Sequence, residues 1–252
     1  MPKHRFFIDA ELSAGDSASL SERESHHALH VLRLTAGTLV ALTNGRGTQY
    51  QARITELQRN TALVEILEAL HQPRPTFKVA LHQAIVKPKA MDLLIQKATE
   101  LGATHIQPLH SENCRLSAGP KERAKWVQKW RLVAIDAIKQ CQSNWAPEIL
   151  PVKTVSSIVT ELPTENRIRF VGDLTENSIP LRELLQTKRS PNETQPLTGI
   201  DIFIGPEGDF SRNEKEVLKK EGVQGVSFGS HVLRAETAAV FALSAVTYQF
   251  SH

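Results

Sequence analysis

Two loops in the C-terminal third carry glycine directly after apolar runs, where the main chain could contact a ligand closely. Residues 205–208, Gly-Pro-Glu-Gly, follow the run GIDIFI, while Phe228 and Gly229 follow VQGVS and lead into residues 232–237. Glycine permits positive φ angles and close approach to the backbone, so two such loops could enclose a flat heterocycle such as adenine. A tight turn explains either loop equally well on its own. The succession of two loops favours a binding site.

Three histidines, His26, His27 and His30, and a Gly-Arg-Gly pattern at residues 45–47 are weaker candidates for chemistry. One helix can offer only two of these histidines to a common ion, and no cysteine lies nearby in the sequence to complete a tetrahedral set. The glycine pattern lies at a hairpin, whereas a dinucleotide fingerprint requires a strand-to-helix turn. We therefore predict neither a metal site nor a dinucleotide site in these segments.

The elements that must position the two glycine loops alternate between strand and helix. FKVALHQAI is typical of a strand, apolar residues recur at helical spacing over residues 91–101, and THIQPL returns as a strand. Further on, Ser211 and Glu214 have the spacing of a capping box, and AAVFALSAVTYQF predicts a closing apolar helix. This alternation predicts an α/β fold with a mostly parallel sheet over residues 73–252.

The first 72 residues have a different pattern, with short strand-like runs broken by turn residues. TLVALTNGRGTQYQARITEL predicts two strands joined by a hairpin at its Asn-Gly pair. A helix beginning at Ser21, with Glu24 in capping-box spacing, is predicted to interrupt the strands. The segment HQPRP fits neither a helix nor a central strand. We place the domain boundary there, between a small domain, 1–72, and a larger one, 73–252.

Charge and cysteine content indicate the kind of partner and compartment. Residues 73–145 carry twelve basic and five acidic side chains, an excess that the rest of the chain lacks and that suits a phosphate backbone. A solvated helix face explains such a cluster equally well. The only cysteines, Cys114 and Cys141, match neither a redox nor a zinc motif, which favours a reducing compartment. No apolar run is long enough for a signal peptide or a membrane span, so we expect a cytoplasmic protein.

The sequence resembles a known family in several segments. IGPEGDFSRNE and FGSHVLRAETAAVFAL closely resemble the two signature segments of the RsmE family, SPOUT-type RNA methyltransferases that modify N3 of a uridine in small-subunit (16S) ribosomal RNA. HHALHVLRLTAG, AIVKPKAMDLLIQKATELGATHIQPL and IKQCQSNWAPEI also resemble segments of that family. The resemblance therefore covers nearly the whole chain. GPEG or LRAET alone would be only suggestive, whereas the segments in this order are highly specific.

The resemblance implies a fold, a cofactor and partners. It implies a small N-terminal PUA-like β-barrel domain that binds RNA, a catalytic domain with a C-terminal trefoil knot, and a homodimer that needs no metal and no membrane. It also implies S-adenosyl-L-methionine bound in a bent shape by the knot loops. Carried to this sequence, it assigns cofactor binding to Gly172, Leu174, Ile204, Gly205, Pro206, Glu207, Gly208, Phe228, Gly229, Val232, Leu233, Arg234, Ala235 and Thr237.

The same resemblance suggests catalytic and RNA-binding residues. Uridine N3 must lose a proton before it can accept a methyl group, and Glu207, Glu236 and Arg234 are candidates to promote this step. Arg234 could stabilise charge on a uracil oxygen or could pair with Glu207, and Glu236 could act as a base or could stabilise a helix terminus. Basic residues in or beside the matching segments are expected to contact RNA: Arg5, Arg33, Lys87, Lys89, Lys97 and Arg115.

Three positions depart from the family pattern, and two other functions stay open. Asn113, Ser143 and Trp145 stand where the family usually carries arginine, which places the local RNA contacts in doubt. One alternative function is methylation of another RNA target by the same superfamily, against which the matching N-terminal domain argues. The other is a non-catalytic RNA-binding assembly protein, which would not need intact glycine loops.

Overall fold

The computed structural model of the chain describes residues 2–58, 60–164, 166–175, 177–187 and 196–250. The chain forms two compact units. The first contains residues up to 74 together with 135–146, and the second contains 75–134 and the residues from 147 onward. The sequence prediction had placed residues 135–146 in the larger domain. Their contacts within the first unit explain the difference and are described below.

The first unit is built on a five-stranded sheet. Its strands are β1 (Arg5–Phe7), β2 (Ser17–Ser19), β3 (Leu39–Thr43), β4 (Thr48–Gln58) and β5 (Thr61–His71). They pair in the order β1-β3-β4-β5-β2, and every pair is antiparallel except β1 with β3. β3 and β4 form the predicted hairpin. Alternate residues of β4, including Tyr50, Ala52 and Ile54, are fully buried, so one face of the sheet carries the core of this unit.

The predicted helical insertion begins as the α-helix α1 (Glu22–His26) and continues as a π-helix over His27–Val31. Ser21 accepts a hydrogen bond from the Glu24 amide at 3.3 Å, as the predicted N-cap requires. The capping-box prediction for the Glu24 side chain is wrong. That carboxylate is buried and accepts from a β1 amide at 3.1 Å and from Lys139 Nζ at 2.6 Å, because a buried charge needs an opposite charge as its partner.

Residues 135–146 join the first unit through Trp145. The indole Nε1 donates to the carbonyls of Gln72 and Pro73, each at 3.1 Å. Its ring leaves no room for a Cβ at Gly47, which also has a φ angle of +99° that favours glycine. In addition, Arg5 Nη2 donates to the Ser143 carbonyl at 3.0 Å. The segment therefore packs on the small domain although it is distant in sequence.

The second unit is built on a seven-stranded sheet in which every pair is parallel. Its strands are β6 (Lys78–Ala84), β7 (His105–Leu109), β8 (Glu148–Ile149), β9 (Arg167–Gly172), β10 (Ile179–Pro180), β11 (Gly199–Ile204) and β12 (Gln224–Ser227). The order across the sheet is β10-β12-β9-β11-β6-β7-β8. The predicted α/β class with a parallel sheet is confirmed. All six residues of β11 are buried, as expected of a central strand.

Six helices accompany this sheet. They are α2 (Pro88–Glu100), α3 (Pro120–Cys141), α4 (Val155–Val159), α5 (Leu181–Thr187), α6 (Arg212–Lys220) and α7 (Ala235–Phe250). Apolar residues of α2, α3, α5 and α7 share one core with the sheet, and those of α4 and α6 share another. The last turns of α3 belong to the first unit. Among the described helices, none has both the length and the apolar character to cross a membrane.

A buried charge cluster joins three neighbouring strands of the second unit. Asp201 on β11 accepts from Arg167 Nε on β9 at 2.7 Å, and its other oxygen lies 3.2 Å from His82 Nε2 on β6. Burial raises the pKa of Asp201, but the hydrogen bonds from His82 and Arg167 and their charges outweigh burial and lower this pKa to about 2. The carboxylate is therefore ionised in the folded protein at neutral pH.

We predict that Asp201→Asn lowers the free energy of unfolding at neutral pH by about 3 kcal/mol, because it leaves the buried Arg167 guanidinium without a carboxylate. Since the pKa of Asp201 in the folded protein lies below its ordinary value of 3.8, its stabilisation is present above about pH 4 and is lost as the pH falls towards 2. Urea unfolding of both proteins should show their difference shrinking over this pH window.

Glu216→Gln is the matched control for this substitution. Glu216 pairs with Arg212 at 3.1 Å on the exposed side of α6, so its neutralisation should change stability by less than about 0.5 kcal/mol. An Asp201→Asn protein as stable as this control at neutral pH would contradict the assigned role of the cluster.

Candidate active site

The two predicted glycine loops begin at neighbouring strand ends. β9 lies between β11 and β12, so the carboxyl ends of these three parallel strands are side by side. Gly172 ends β9, and a Cβ built on it would lie 2.7 Å from the Phe228 ring and 3.6 Å from Ile204 Cδ1. Ile204 ends β11, and Phe228 is the first residue after β12. The sequence prediction that the two loops come together is supported by this contact.

The loop after β11 is a tight turn that leads into α6. The Asp209 amide donates to the Pro206 carbonyl at 2.9 Å, and Asp209 has a φ angle of +60°. A Cβ on Gly205 would lie only 3.0 Å from the Phe210 amide nitrogen, so the close turn requires glycine there. Gly208 is exposed, and a Cβ on it would meet no atom closer than 3.6 Å. The main chain at Gly208 is therefore accessible to a ligand.

Glu214 fixes this turn to the loop that follows β7. Ser211 caps α6, and the Glu214 carboxylate accepts from the Ser211 amide at 2.9 Å, which completes the predicted capping box. The same buried carboxylate accepts from the Ser111 hydroxyl at 2.7 Å and from the Glu112 amide at 3.1 Å. Asn113, in the loop after β7, makes a second connection to the glycine turn, because its Nδ2 donates to the Asp209 carbonyl at 3.0 Å.

Lys215 fixes the same turn to the end of β9. Its Nζ lies 2.8 Å from Asp173 Oδ1 and 2.6 Å from Asp209 Oδ2. Burial lowers the pKa of Lys215, but the hydrogen bonds to both carboxylates outweigh it and raise this pKa overall. Burial likewise raises the pKa of Asp173, and the hydrogen bonds from Lys215 and Thr175 reverse the shift and lower it. Lys215 and Asp173 are thus held in their charged forms.

In the loop after β12, the main chain at Gly229 is accessible. Gly229 has a φ angle of +117°, and a Cβ on it would meet no atom within 4 Å. Val232 is 77% exposed, whereas Leu233 packs partly against the core. The Arg234 carbonyl then accepts from the Ala238 amide at 2.8 Å as α7 begins with the buried Ala235. The open space beside Gly229 is the feature that a bound ligand could fill.

The charged residues predicted for catalysis differ in their surroundings. Glu207 and Arg234 are exposed, and Arg234 forms no ion pair with Glu207 or with any other residue in the described part of the chain. The predicted alternative that these two residues pair is therefore wrong. Glu236 lies in the first turn of α7, where a carboxylate stabilises the positive end of the helix dipole. Leu174 is 65% exposed and Thr237 is exposed.

The six predicted RNA-binding cations are divided between the two units. Lys87 and Lys89 follow the carboxyl end of β6, and Arg115 follows that of β7, so these three share the edge of the sheet that carries the glycine loops. Lys97 lies about 15 Å further along α2 and pairs with Glu100. Arg5 and Arg33 belong to the first unit.

Sequence reasoning missed the residues that hold the loops in place. Asp173, Asp209 and Lys215 form one ionic cluster, and Ser111 and Glu112 bind a carboxylate about a hundred residues away. Only the Ser211 capping-box spacing marked this region in advance. Among the described residues, no group of histidine, cysteine and carboxylate side chains could hold a metal ion. The arrangement offers glycine main chain for a ligand and an exposed arginine for a developing negative charge.

Comparison with known proteins gives consistent matches over the whole chain. Residues 72–247 match the RNA methyltransferase domain family, and residues 20–67 match the RNA methyltransferase PUA domain family. Two relatives named ribosomal RNA small subunit methyltransferase E come from Rickettsia conorii, 29% identical over 100% of this chain and 98% of the relative, and from Synechocystis, 27% identical over 96% and 77%.

Two solved structures are also similar throughout. A methyltransferase of Legionella pneumophila in complex with the bound cofactor SAM has a TM-score of 0.87 and 30% identity, with 98% of each chain covered. Ribosomal RNA small subunit methyltransferase E of Neisseria gonorrhoeae, bound to S-adenosyl methionine, has a TM-score of 0.84 and 28% identity, with 97% of each chain covered. The fold described above is therefore shared along the full length of both structures.

We predict that Gly172→Ala lowers the free energy of unfolding by about 1 to 2 kcal/mol, because the new methyl group must displace the Phe228 ring. Gly208→Ala is the control, since its Cβ meets only Asn113 at 3.6 Å and should change stability by less than about 0.5 kcal/mol. Thermal and urea unfolding would measure both. Equal stability of the two variants would contradict the close contact between the loops.

Proposed function

Because the chain belongs to the RNA methyltransferase family, and within it to the ribosomal RNA small subunit methyltransferase E group, we propose that it methylates 16S ribosomal RNA with S-adenosyl-L-methionine. The methyl acceptor is N3 of one uridine, and the reaction takes place in the cytoplasm. The observation that carries this proposal is the contact of Gly172 with both Phe228 and Ile204, because it joins the starts of the two glycine loops.

The residues at the three strand ends fit this cofactor. Gly208 and Gly229 leave space beside their main chain, and exposed apolar side chains of Leu174 and Val232 border the same loops. Main-chain amides and carbonyls can bind the edge of an adenine ring, while apolar side chains cover its faces. The bound cofactor supplies an electrophilic methyl group on a sulfonium. The cofactor-binding set is the one assigned from the sequence, from Gly172 to Thr237.

The chain's own residues align the base and promote loss of its proton. Transfer forms one N–C bond and breaks one S–C bond, so the protein must hold N3 in line with the methyl group and exclude water. Arg234 is exposed and unpaired within the described chain, and it stabilises the negative charge that develops on a uracil oxygen. Glu207 accepts the N3 proton. Glu236 was a candidate for the same role, and its place in the first turn of α7 favours stabilisation of the helix instead.

Cations at the same sheet edge contact the RNA backbone. Lys87, Lys89 and Arg115 lie at the carboxyl ends of β6 and β7 and form no ion pair with any described residue. Each can neutralise one phosphate, and together they hold the strand beside the glycine loops. Lys97 is held by Glu100 and contributes less.

The finer features of the fold follow the family. The C-terminal segment that carries both glycine loops forms a trefoil knot, and the small domain closes into a PUA-like β-barrel. The active form is a homodimer, for which exposed apolar side chains of the second unit offer a surface: Leu174 at 65%, Val232 at 77%, Phe241 at 44% and Tyr248 at 89% exposed. Sedimentation equilibrium that returned only a monomer would contradict the dimer.

Cofactor binding and product mapping test the proposed function. The wild-type chain should bind S-adenosylmethionine in a calorimetric titration, and 16S RNA from cells lacking this protein should gain one methyl group at a uridine N3, located by mass spectrometry. Gly208→Ala should weaken cofactor binding about tenfold without unfolding the protein, because its methyl group occupies the ligand's space. Ser156→Ala, on the exposed side of α4, should bind as the wild type does. No cofactor binding by the wild type would instead favour a scaffold protein.

Arg234→Ala tests the catalytic assignment. We expect single-turnover methyl transfer to fall by about 100-fold, since one stabilising donor of the transition state is lost. Cofactor affinity should stay within about twofold of the wild type, because the proposed contact of Arg234 with the cofactor is made by its main chain, which alanine retains. Arg212→Ala removes an equally exposed arginine from α6 and should leave the rate unchanged. Near-normal turnover of Arg234→Ala would remove this residue from the mechanism.

A further inference from the structure

A polar cleft of about 410 Å³ lies entirely within the first unit. Its walls come from β1, the start of the π-helix, β3 and β4, and from the end of α3 with the residue after it. This volume is within the range of pockets that hold small organic ligands. The residues that matter for its chemistry are Lys3, Arg5, His27, Gln49, Gln140 and Gln142. Nothing in the proposed transfer of the methyl group uses them.

Three side-chain amides line this cleft and are accessible to a ligand, since Gln140 and Gln142 are exposed and Gln49 is half-buried. Gln49 lies on β4, Gln140 on the last turn of α3, and Gln142 just beyond that helix. None of the three amide groups forms a hydrogen bond with a residue in the described ranges. Glutamine amides carry a donor and an acceptor side by side, which is the pattern that reads the edge of a nucleobase. Three of them in one cleft indicate a ligand with several polar edges.

The charges around the cleft favour an anionic ligand. Asp136 also lines it, but Asp136 is paired with both Arg23 and Lys139. Glu24 in turn holds Lys139 at 2.6 Å. The cations at or beside the cleft are therefore Lys3, Arg5, Arg23 and Lys139, and the carboxylates are Asp136 and Glu24. Their net charge is +2, which favours binding of a phosphate.

One donor at this cleft lacks an acceptor. Arg5 Nη2 is satisfied by the Ser143 carbonyl at 3.0 Å and by the Asn144 side chain. The Nε of the same guanidinium is buried and has no hydrogen-bond partner among the described residues. Because this Nε is not accessible to solvent, it does not contact a ligand, and Arg5 acts on a phosphate through its charge.

The backbone around the cleft takes two uncommon conformations. His27 begins a π-helix, a form that is rare and that occurs often at functional sites. Gln142 has a φ angle of +62°, a left-handed conformation that costs a non-glycine residue of order 1 kcal/mol. Both residues line the cleft. Such strain persists where the structure gains something by it.

We propose that this cleft binds one unpaired nucleotide of the RNA substrate, with Lys3 and Arg5 on its phosphate and the glutamine amides on the edge of its base. The His27 imidazole stacks on the base, as histidine does in single-stranded RNA recognition. The nucleotide is a different one from the uridine that is methylated. This inference rests on the proposed function, since it takes RNA as the substrate, and it assigns the small domain a reading role for sequence or for unpaired structure.

The amide groups give the sharpest test. The probe is a short, dye-labelled single-stranded RNA that contains all four bases. Fluorescence anisotropy would measure its binding to the full-length wild-type protein and to the double variant Gln49→Ala/Gln140→Ala. We expect the dissociation constant of the double variant to rise about tenfold or more, since each amide contact to a base contributes to discrimination. Gln51→Ala/Gln128→Ala changes one glutamine on each of the same two elements, β4 and α3, outside the cleft, and should bind as the wild type does.

A duplex RNA of the same length separates base reading from phosphate binding. The amide substitutions should not weaken the duplex complex, because its base edges are paired. The proposal would be overturned if the double variant lost equal affinity for duplex and single-stranded RNA. It would also be overturned if its affinity for single-stranded RNA stayed within twofold of that of the wild type. S-adenosylmethionine titration of the same double variant should match the wild type, which shows that the second unit is folded, and an unchanged duplex affinity shows the same for the first unit. Failure of the wild type to methylate 16S RNA would overturn the proposed function but not the proposed nucleotide site, because that site is tested by RNA affinity and not by methyl transfer.

Discussion

The insertion of β9 between β11 and β12 is the constraint on which the active site depends. The chain forms these strands in the order β9, β11, β12, but β9 lies between the other two in the sheet, so the chain must cross over it through α6 before β12 begins. Because all three strands are parallel, their carboxyl ends meet at one edge. Both glycine loops then start from the same place, and Gly172 must lack a side chain to make room for Phe228.

The crossover helix also holds the first glycine loop in place. α6 begins directly after the first glycine turn, so its first two turns carry the side chains that can hold that turn. Glu214 reaches the loop after β7, and Lys215 reaches the end of β9. The loop main chain is therefore fixed by ionic and charge-assisted hydrogen bonds before any ligand arrives. A site that is held in its binding geometry loses less entropy on binding and keeps donor and acceptor aligned.

Sequence patterns predicted local elements well and long-range partners poorly. The same capping-box rule was applied to Ser211 with Glu214 and to Ser21 with Glu24, and only the first pair completes the box. The spacing is identical, but Glu24 faces a partly buried lysine that lies more than a hundred residues further along the chain. The hairpin, the α/β alternation and the closing helix needed only local periodicity. The strand order and the attachment of residues 135–146 depend on contacts that no local window contains.

The departures from the family pattern show that a count of cations does not measure RNA affinity. Asn113 and Trp145 stand where the resemblance leads us to expect arginine. Asn113 connects the glycine turn to the loop after β7, and Trp145 packs on Gly47. Conversely, the basic middle third includes Lys97 and Lys139, whose charges are held by Glu100 and Glu24. An RNA phosphate can bind those cations that are not already paired with a carboxylate of the protein. The fold decides where on the sheet edge these cations lie. The sequence excess of twelve basic over five acidic side chains therefore indicates the partner but not the binding surface.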